Sequence, residues 1–446
     1  MGKITKIVLA GMGLVFFAGI LTMRLLPGAV AALPGQVRGR LPQELLRAVT
    51  TPLPTALPPP ELTPAEIEIS LGDIGAVDLA TPAPSESPTP GPKEIETAVP
   101  TPPSTTETEA PQTPTLAPTP AGIPLPTAVR LQGLQIEPQK MNNCGPANLS
   151  INLNFYGLES TQFDVADVVK PHYDDRNVSP EELVAYVNQR TSLRATLYRG
   201  GDLLLLKRLI AAGFPVVIEK GYEPDNWQGW MGHYLTLFGY DEMKSSFISM
   251  DTFLGPWDGS GRSYSYEEIQ RYWEHFNFAF YVVYEPEQEI ALQKVIGPTL
   301  IKTEDMWRSA VRKALDKAEA EPENAFAWFN LGSSLSQLAA ATGESRFYGA
   351  AVTAFDQARL IGIPPRMLWY QFQLYEAYLE VGRFDDVLAL TETILEDTGG
   401  QDVEETFLYR GHALLAKGDS AGATTAYRRA VELNPQHQAA REALGS

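Results

Sequence analysis

The chain contains one cysteine in 446 residues, so no disulfide can form within it. A lone cysteine also excludes zinc fingers and other Cys-based metal clusters. There are five histidines, and they form no Cys/His cluster with metal-ligand spacing. No Gly-rich phosphate loop is present. Basic residues are scarce: 35 Lys and Arg stand against 54 Asp and Glu, a formal net charge of −19. Nucleic-acid binding needs a basic face, so that class of partner is excluded as an expectation. No metal or cofactor is implied. Apolar residues make up 44%, ample for globular cores, and the length allows two or three domains.

The longest uncharged apolar run is Ile7 to Met23, after Lys3 and Lys6 and before Arg24. Seventeen helical residues span about 26 Å, close to a bilayer core of about 30 Å. Residues 1–27 are therefore expected to be a transmembrane anchor with its N-terminus inside. A cleavable signal segment, with Ala29-Val30-Ala31 as a small-x-small site, is the alternative. Either way the rest of the chain is expected outside the cytoplasm, on a single-pass membrane protein or secreted. Residues 28–127 follow as a stalk rich in Pro, Thr and Ser, with repeated Thr-Pro pairs and more than half of the 36 prolines. Such a segment buries too little apolar surface to offset its ordering entropy, so it is expected to be disordered.

The cysteine sits in Gln139-Lys140-Met141-Asn142-Asn143-Cys144-Gly145-Pro146-Ala147, at the start of a helical pattern. Asn143 is placed to cap that helix. A thiol in the first helical turn is acidified by unpaired N–H groups and the helix dipole. Cys144 is thus a candidate nucleophile, and an inert buried thiol is the competing reading. His233 is the candidate base. It opens Gly232-His233-Tyr234-Leu235-Thr236-Leu237-Phe238-Gly239-Tyr240-Asp241, which reads as a buried strand. The next strand, Phe247 to Asp251, pairs antiparallel and returns Asp251 towards His233. A carboxylate there can hold the imidazole tautomer. Asp241 competes for that role but belongs to the hairpin turn. Gln139 can donate its amide to a developing oxyanion, with the Cys144 N–H as second donor.

These residues resemble a known family. Gln-x-x-Asn-Asn-Cys-Gly-Pro-Ala, Gly-His-Tyr on a strand, and Asp ending the next strand look like papain-like cysteine peptidases of the bacteriocin-processing type, family thirty-nine, in its "C39-like" branch. The resemblance implies a Cys144–His233–Asp251 triad with Gln139 as oxyanion donor. One departure is Asp251-Thr252 where many relatives have Asp-Pro. No transporter segment accompanies the domain, so double-glycine specificity is not carried over.

Around this motif, helices are expected at 144–156, 161–169, 179–189, 202–212 and 265–275, and strands at 195–198, 214–218, 232–241, 247–251 and 278–284. Helices first and an antiparallel sheet second make an α+β domain at 128–290. Trp227, Trp230, Tyr234, Trp257 and Trp273 are candidate cleft residues, although for Trp273 and Phe276 helix core is the stronger reading. From residue 300 to 446 the pattern resembles tetratricopeptide repeats. The clearest unit is Phe407, Gly411, Leu414, Gly418, Ala423, Tyr427, Ala430 and Pro435. Trp328-x-x-Leu331-Gly332 with Phe355 and Ala358 marks another, with about seven inserted residues between its helices. Ala377-Tyr378 to Phe384 marks a degenerate third, and Trp307 to Ala320 a leading helix. An array of this kind is expected to bind a protein partner, with the peptidase-like domain folding independently of it. The expected activity is cleavage of a peptide or amide bond. Acyl transfer by the same fold and a non-catalytic peptide-binding scaffold are the alternatives.

Overall fold

The computed structural model describes residues 56–60, 125–223, 229–397 and 399–445. The expected anchor at 1–27, most of the stalk and Trp227 lie outside these. Among the described residues no helix is long and apolar enough to cross a membrane.

The middle region opens with strand β1 (Ala128–Arg130), then helices α1 (Cys144–Phe155), α2 (Gln162–Val169) and α3 (Pro180–Arg190). Thr161 and Ser179 each form a full capping box, so local chemistry starts α2 and α3 where the sequence places them. Next come β2 (Arg194–Tyr198), α4 (Leu203–Ala211), β3 (Val216–Tyr222), β4 (Met231–Asp241), β5 (Ser246–Met250), β6 (Arg262–Ser265), α5 (Tyr266–Glu274) and β7 (Phe280–Tyr284). The sheet order is β2-β7-β3-β4-β5-β6, with β1 also pairing β4. Every pairing is antiparallel. An antiparallel sheet with helices is the α+β, papain-like arrangement expected. Strands β1 and β6 were not expected, because each is short and lacks a clear apolar alternation.

Asn143 occupies the N-cap of α1, but its side chain makes no cap hydrogen bond. Its Nδ2 donates instead to Gln162 Oε1 at 3.3 Å. This corrects the capping expectation: at φ −100° and ψ 22° Asn143 is not in the extended conformation typical of a capping residue. Helix α1 is buried on nearly all sides and carries Asn148, Ser150 and Asn152 inward. Each makes side-chain hydrogen bonds, with Asn152 Oδ1 alone of these left without a partner. Asn148 Nδ2 reaches Tyr234 O (3.0 Å), and Asn152 Nδ2 reaches Thr236 Oγ1 (3.0 Å), fixing α1 to β4.

The C-terminal region is helical: α6 (Glu289–Ile296), α7 (Pro298–Ile301), α8 (Thr303–Ala320), α9 (Ala325–Thr342), α10 (Arg346–Ile361), α11 (Gln373–Glu380), α12 (Phe384–Glu396), α13 (Glu404–Ala416), α14 (Ser420–Leu433) and α15 (Gln438–Leu444). The insertion expected between α9 and α10 is absorbed into the helices, which are joined by residues 343–345 alone.

Three further expectations are corrected. The sequence separates a domain ending near 290 from an array starting near 300. Instead, α6 packs Leu292 and Ile296 into the apolar cluster that runs from Leu206 and Val216 to Phe329 and Tyr375. Polar contacts cross the same boundary: Asn277 Nδ2 to Ser334 Oγ (2.8 Å), Asn330 Nδ2 to Glu274 O (2.7 Å) and Gln371 Nε2 to His275 O (2.9 Å). One shared core therefore replaces two separate ones. Trp230, expected in a cleft, packs in this junction. It stacks on Phe276 at 5.7 Å and donates Nε1 to His275 Nδ1 at 2.9 Å. Trp273 is likewise core, donating Nε1 to Ala279 O. Lastly, the stalk is not wholly free. Leu57 is 2% exposed, its N–H donates to Ile363 O, and Pro58 O accepts from Arg359 Nε, both at 2.9 Å.

Candidate active site

The site forms where α1 meets the start of β4. Cys144 is the first residue of α1, so its thiol lies among free helical N–H groups. His233 is the third residue of β4 and is buried. Beyond β5 the chain continues to Asp251, whose carboxylate is fully buried. His233 Nε2 lies 3.1 Å from Asp251 Oδ1. The imidazole also lies near enough to Cys144 to lower the pKa of its thiol. His233 thus acts on the thiol and is held by the carboxylate.

Asp251 is strongly held. Oδ1 accepts from Phe253 N (2.9 Å) and Leu254 N (2.8 Å), and Oδ2 accepts from the Tyr264 hydroxyl. Asp241 lies at the other end of β4, where its Oδ1 accepts from Met243 N and Lys244 N in the turn. It does not meet His233.

The electrostatics follow from these contacts. Burial alone would raise the Cys144 thiol, but the hydrogen bond and charge of His233 outweigh it and lower the pKa. Burial disfavours the imidazolium, yet the Asp251 hydrogen bond and charge, with Cys144, raise His233 to about 9. Burial works against the Asp251 carboxylate, and the bonds from His233, Leu254 and Tyr264 hold it well below the usual range. The arrangement favours a thiolate–imidazolium pair backed by a carboxylate.

Gln139 is fixed at two points by Thr252, the residue after Asp251. Gln139 N donates to Thr252 O (2.9 Å), and Thr252 Oγ1 donates to Gln139 Oε1 (2.8 Å). With its carbonyl engaged, the amide presents Nε2 as the remaining donor. Asn148 Nδ2 in turn approaches Thr252 Oγ1 at 3.3 Å. The Asp-Thr departure thus has a structural consequence: a hydroxyl that proline lacks holds the glutamine.

Sequence reasoning marked Thr252 only as a departure, without a role, and missed Asn148, Tyr264 and Lys220. Lys220 is the cross-strand partner of His233 and is buried with Nζ 5.0–5.7 Å from the rings of Tyr222, Tyr264 and Tyr272. No spacing rule marks these residues, because their partners lie far off in the chain. Among the cleft aromatics, Tyr234 lies buried against Gly145 of α1, and Trp257 is 56% exposed on the loop after Asp251. That loop is tied down by Arg130 Nη2, which donates to Gly259 O (3.0 Å) and Ser260 O (2.8 Å). Among the described residues no group of three or more His, Cys, Asp or Glu could hold a metal ion.

No curated protein matches the chain. Among solved structures, a protein described as a C39-like peptidase from Bacillus anthracis is 16% identical, with a TM-score of 0.29 over 35% of this chain and 96% of its own. The family comparison is confined to the region just described: residues 129–280, about a third of the chain, match the model of the Peptidase_C39 like family.

Proposed function

We propose that the protein hydrolyses a peptide or amide bond through Cys144. The observation that carries this reading is the single imidazole of His233, hydrogen-bonded to Asp251 at 3.1 Å and near enough to Cys144 to lower its thiol pKa. The Cys144 thiolate attacks the carbonyl carbon, and the π electrons move onto oxygen. Gln139 Nε2 and the Cys144 N–H stabilise that oxyanion. His233 passes its proton to the leaving amine as the C–N bond breaks, leaving a thioester. His233 then takes a proton from water, the hydroxide attacks, and the thiolate departs. Asp251 fixes the imidazole throughout.

The helical region serves as a tetratricopeptide-type array for a protein partner. The support is small residues at helix crossings: a Cβ on Gly332 would lie 2.7 Å from the Phe355 ring, and one on Gly411 2.4 Å from Tyr427. The apolar N-terminal run and Pro-rich stalk support an exported, membrane-anchored protein with both folded regions outside the cytoplasm.

The test is labelling of Cys144 by an epoxide of the E-64 type, followed by intact mass. The wild type should label rapidly and His233→Ala slowly. Equal rates in the two proteins would sink the catalytic reading.

A further inference from the structure

Between the sheet and the C-terminal helices lies a cavity of about 270 Å³. Four carboxylates line it: Glu181 of α3, Glu219 of β3, Glu376 of α11 and Glu405 of α13. The one guanidinium there, Arg199, is paired through Nη2 with Glu181 at 2.9 Å. Glu219 is only 4% exposed, and its Oε1 has no hydrogen-bond partner. A buried carboxylate oxygen without a donor costs free energy. The remaining walls include the rings of Phe276, Trp307 and Tyr370. Glu376 already accepts from Tyr409 Oη at 2.8 Å, which aims that carboxylate.

The cavity adjoins the reactive centre. Glu219 is the cross-strand partner of Tyr234, the residue after His233. Tyr370 packs against Gly232, the residue before it. Burial pushes the pKa of both Glu219 and Tyr370 up, and the charge of Cys144 adds to the rise.

We infer that this cavity is a substrate subsite for a basic side chain, Lys or Arg, with its stem along the aromatic walls and its cation between Glu219 and Glu376. Acidic groups supply the counter-charge, and ring faces add cation–π attraction. This rests on the hydrolase reading, since the side chain belongs to the peptide that Cys144 cleaves. It also gives the C-terminal helices a direct part in substrate choice, because α11 and α13 carry half of the carboxylates.

The test uses the full chain and short peptidyl acyloxymethyl ketones, with Lys or its uncharged isostere norleucine placed in turn at each residue preceding the ketone. At one position Lys should label Cys144 at least tenfold faster than norleucine. Glu219→Gln, and separately Glu376→Gln, should bring that ratio close to one. Equal rates at every position in the wild type, or a preference that survives both substitutions, would overturn the subsite. A second measurement is independent of the thiol: N-acetyl-lysine methylamide should raise the melting temperature of the wild type and of Cys144→Ala but not of Glu219→Gln. Absence of any shift in the wild type overturns the subsite. A shift without labelling of Cys144 by any ketone overturns the hydrolase reading alone.

Discussion

At the residue scale, the proposed reaction depends on two groups whose pKa values are moved in opposite directions. Cys144 falls below its free-thiol value, and His233 rises to about 9. The thiolate–imidazolium pair therefore exists between those two limits. Turnover should rise with pH through the lowered Cys144 value and decline through about 9 as His233 loses its proton. The stability linkage has the same upper edge. His233 is raised above its unfolded value of about 6.5, so its contribution is complete below that pH and is lost as pH climbs through about 9. Asp251→Asn should lower kcat by up to about 10⁴-fold with the fold retained, because the amide selects the wrong tautomer. Asp241→Asn should change thermal stability more than rate, since its bonds lie in the β4–β5 turn. Reversed effects would reassign the carboxylate. Thr252→Val removes the hydroxyl that pins Gln139 while keeping the side-chain shape. It should reduce kcat with KM little changed, by less than the roughly 10²- to 10³-fold loss of a whole oxyanion donor. An unchanged kcat would show that Gln139 needs no such support.

At the element scale, the caps and glycines of the sequence predict the helices well where the signal is local. Ser179-Pro180-Glu181-Glu182 begins α3 through a capping box, and Gly157 and Gly213 end helical stretches with positive φ. The Asn143 cap did not form: its backbone is not extended, and its Nδ2 is turned to Gln162 of α2. Strand β3 extends four residues beyond the expected Ile218, to Tyr222, since pairing with β4 continues to Met231. In the helical region the crossing of α13 and α14 depends on Gly411. A methyl there would lie 2.4 Å from the Tyr427 ring. Gly411→Ala should therefore destabilise by about 1–3 kcal/mol, read as a lower Tm, although alanine is the better helix former. A rise in Tm would mean that the helices can part at no cost.

At the scale of the whole molecule, the peptidase-like region and the helices share one apolar cluster. A fragment of residues 128–290 would expose Trp230, Phe276 and Phe278 to water, so it should be insoluble or aggregate. Residues 125–445 should unfold in one cooperative transition by calorimetry. A soluble, folded fragment would restore the picture of independent domains. The sequence by itself determined the parts whose signal is local: the reactive motif around Cys144, the apolar strand that carries His233, the hairpin that returns Asp251, and the helical rhythm after residue 300. Hydrophobic periodicity, turn residues and caps are written within a few residues of where they act. Only the tertiary structure decided which groups buttress them. Thr252 meets Gln139 across 113 positions, Tyr264 closes over Asp251, and four glutamates from α3, β3, α11 and α13 converge on one cavity. Such meetings are set by packing between distant segments, and burial there changes a side chain's chemistry in ways that composition and spacing do not encode.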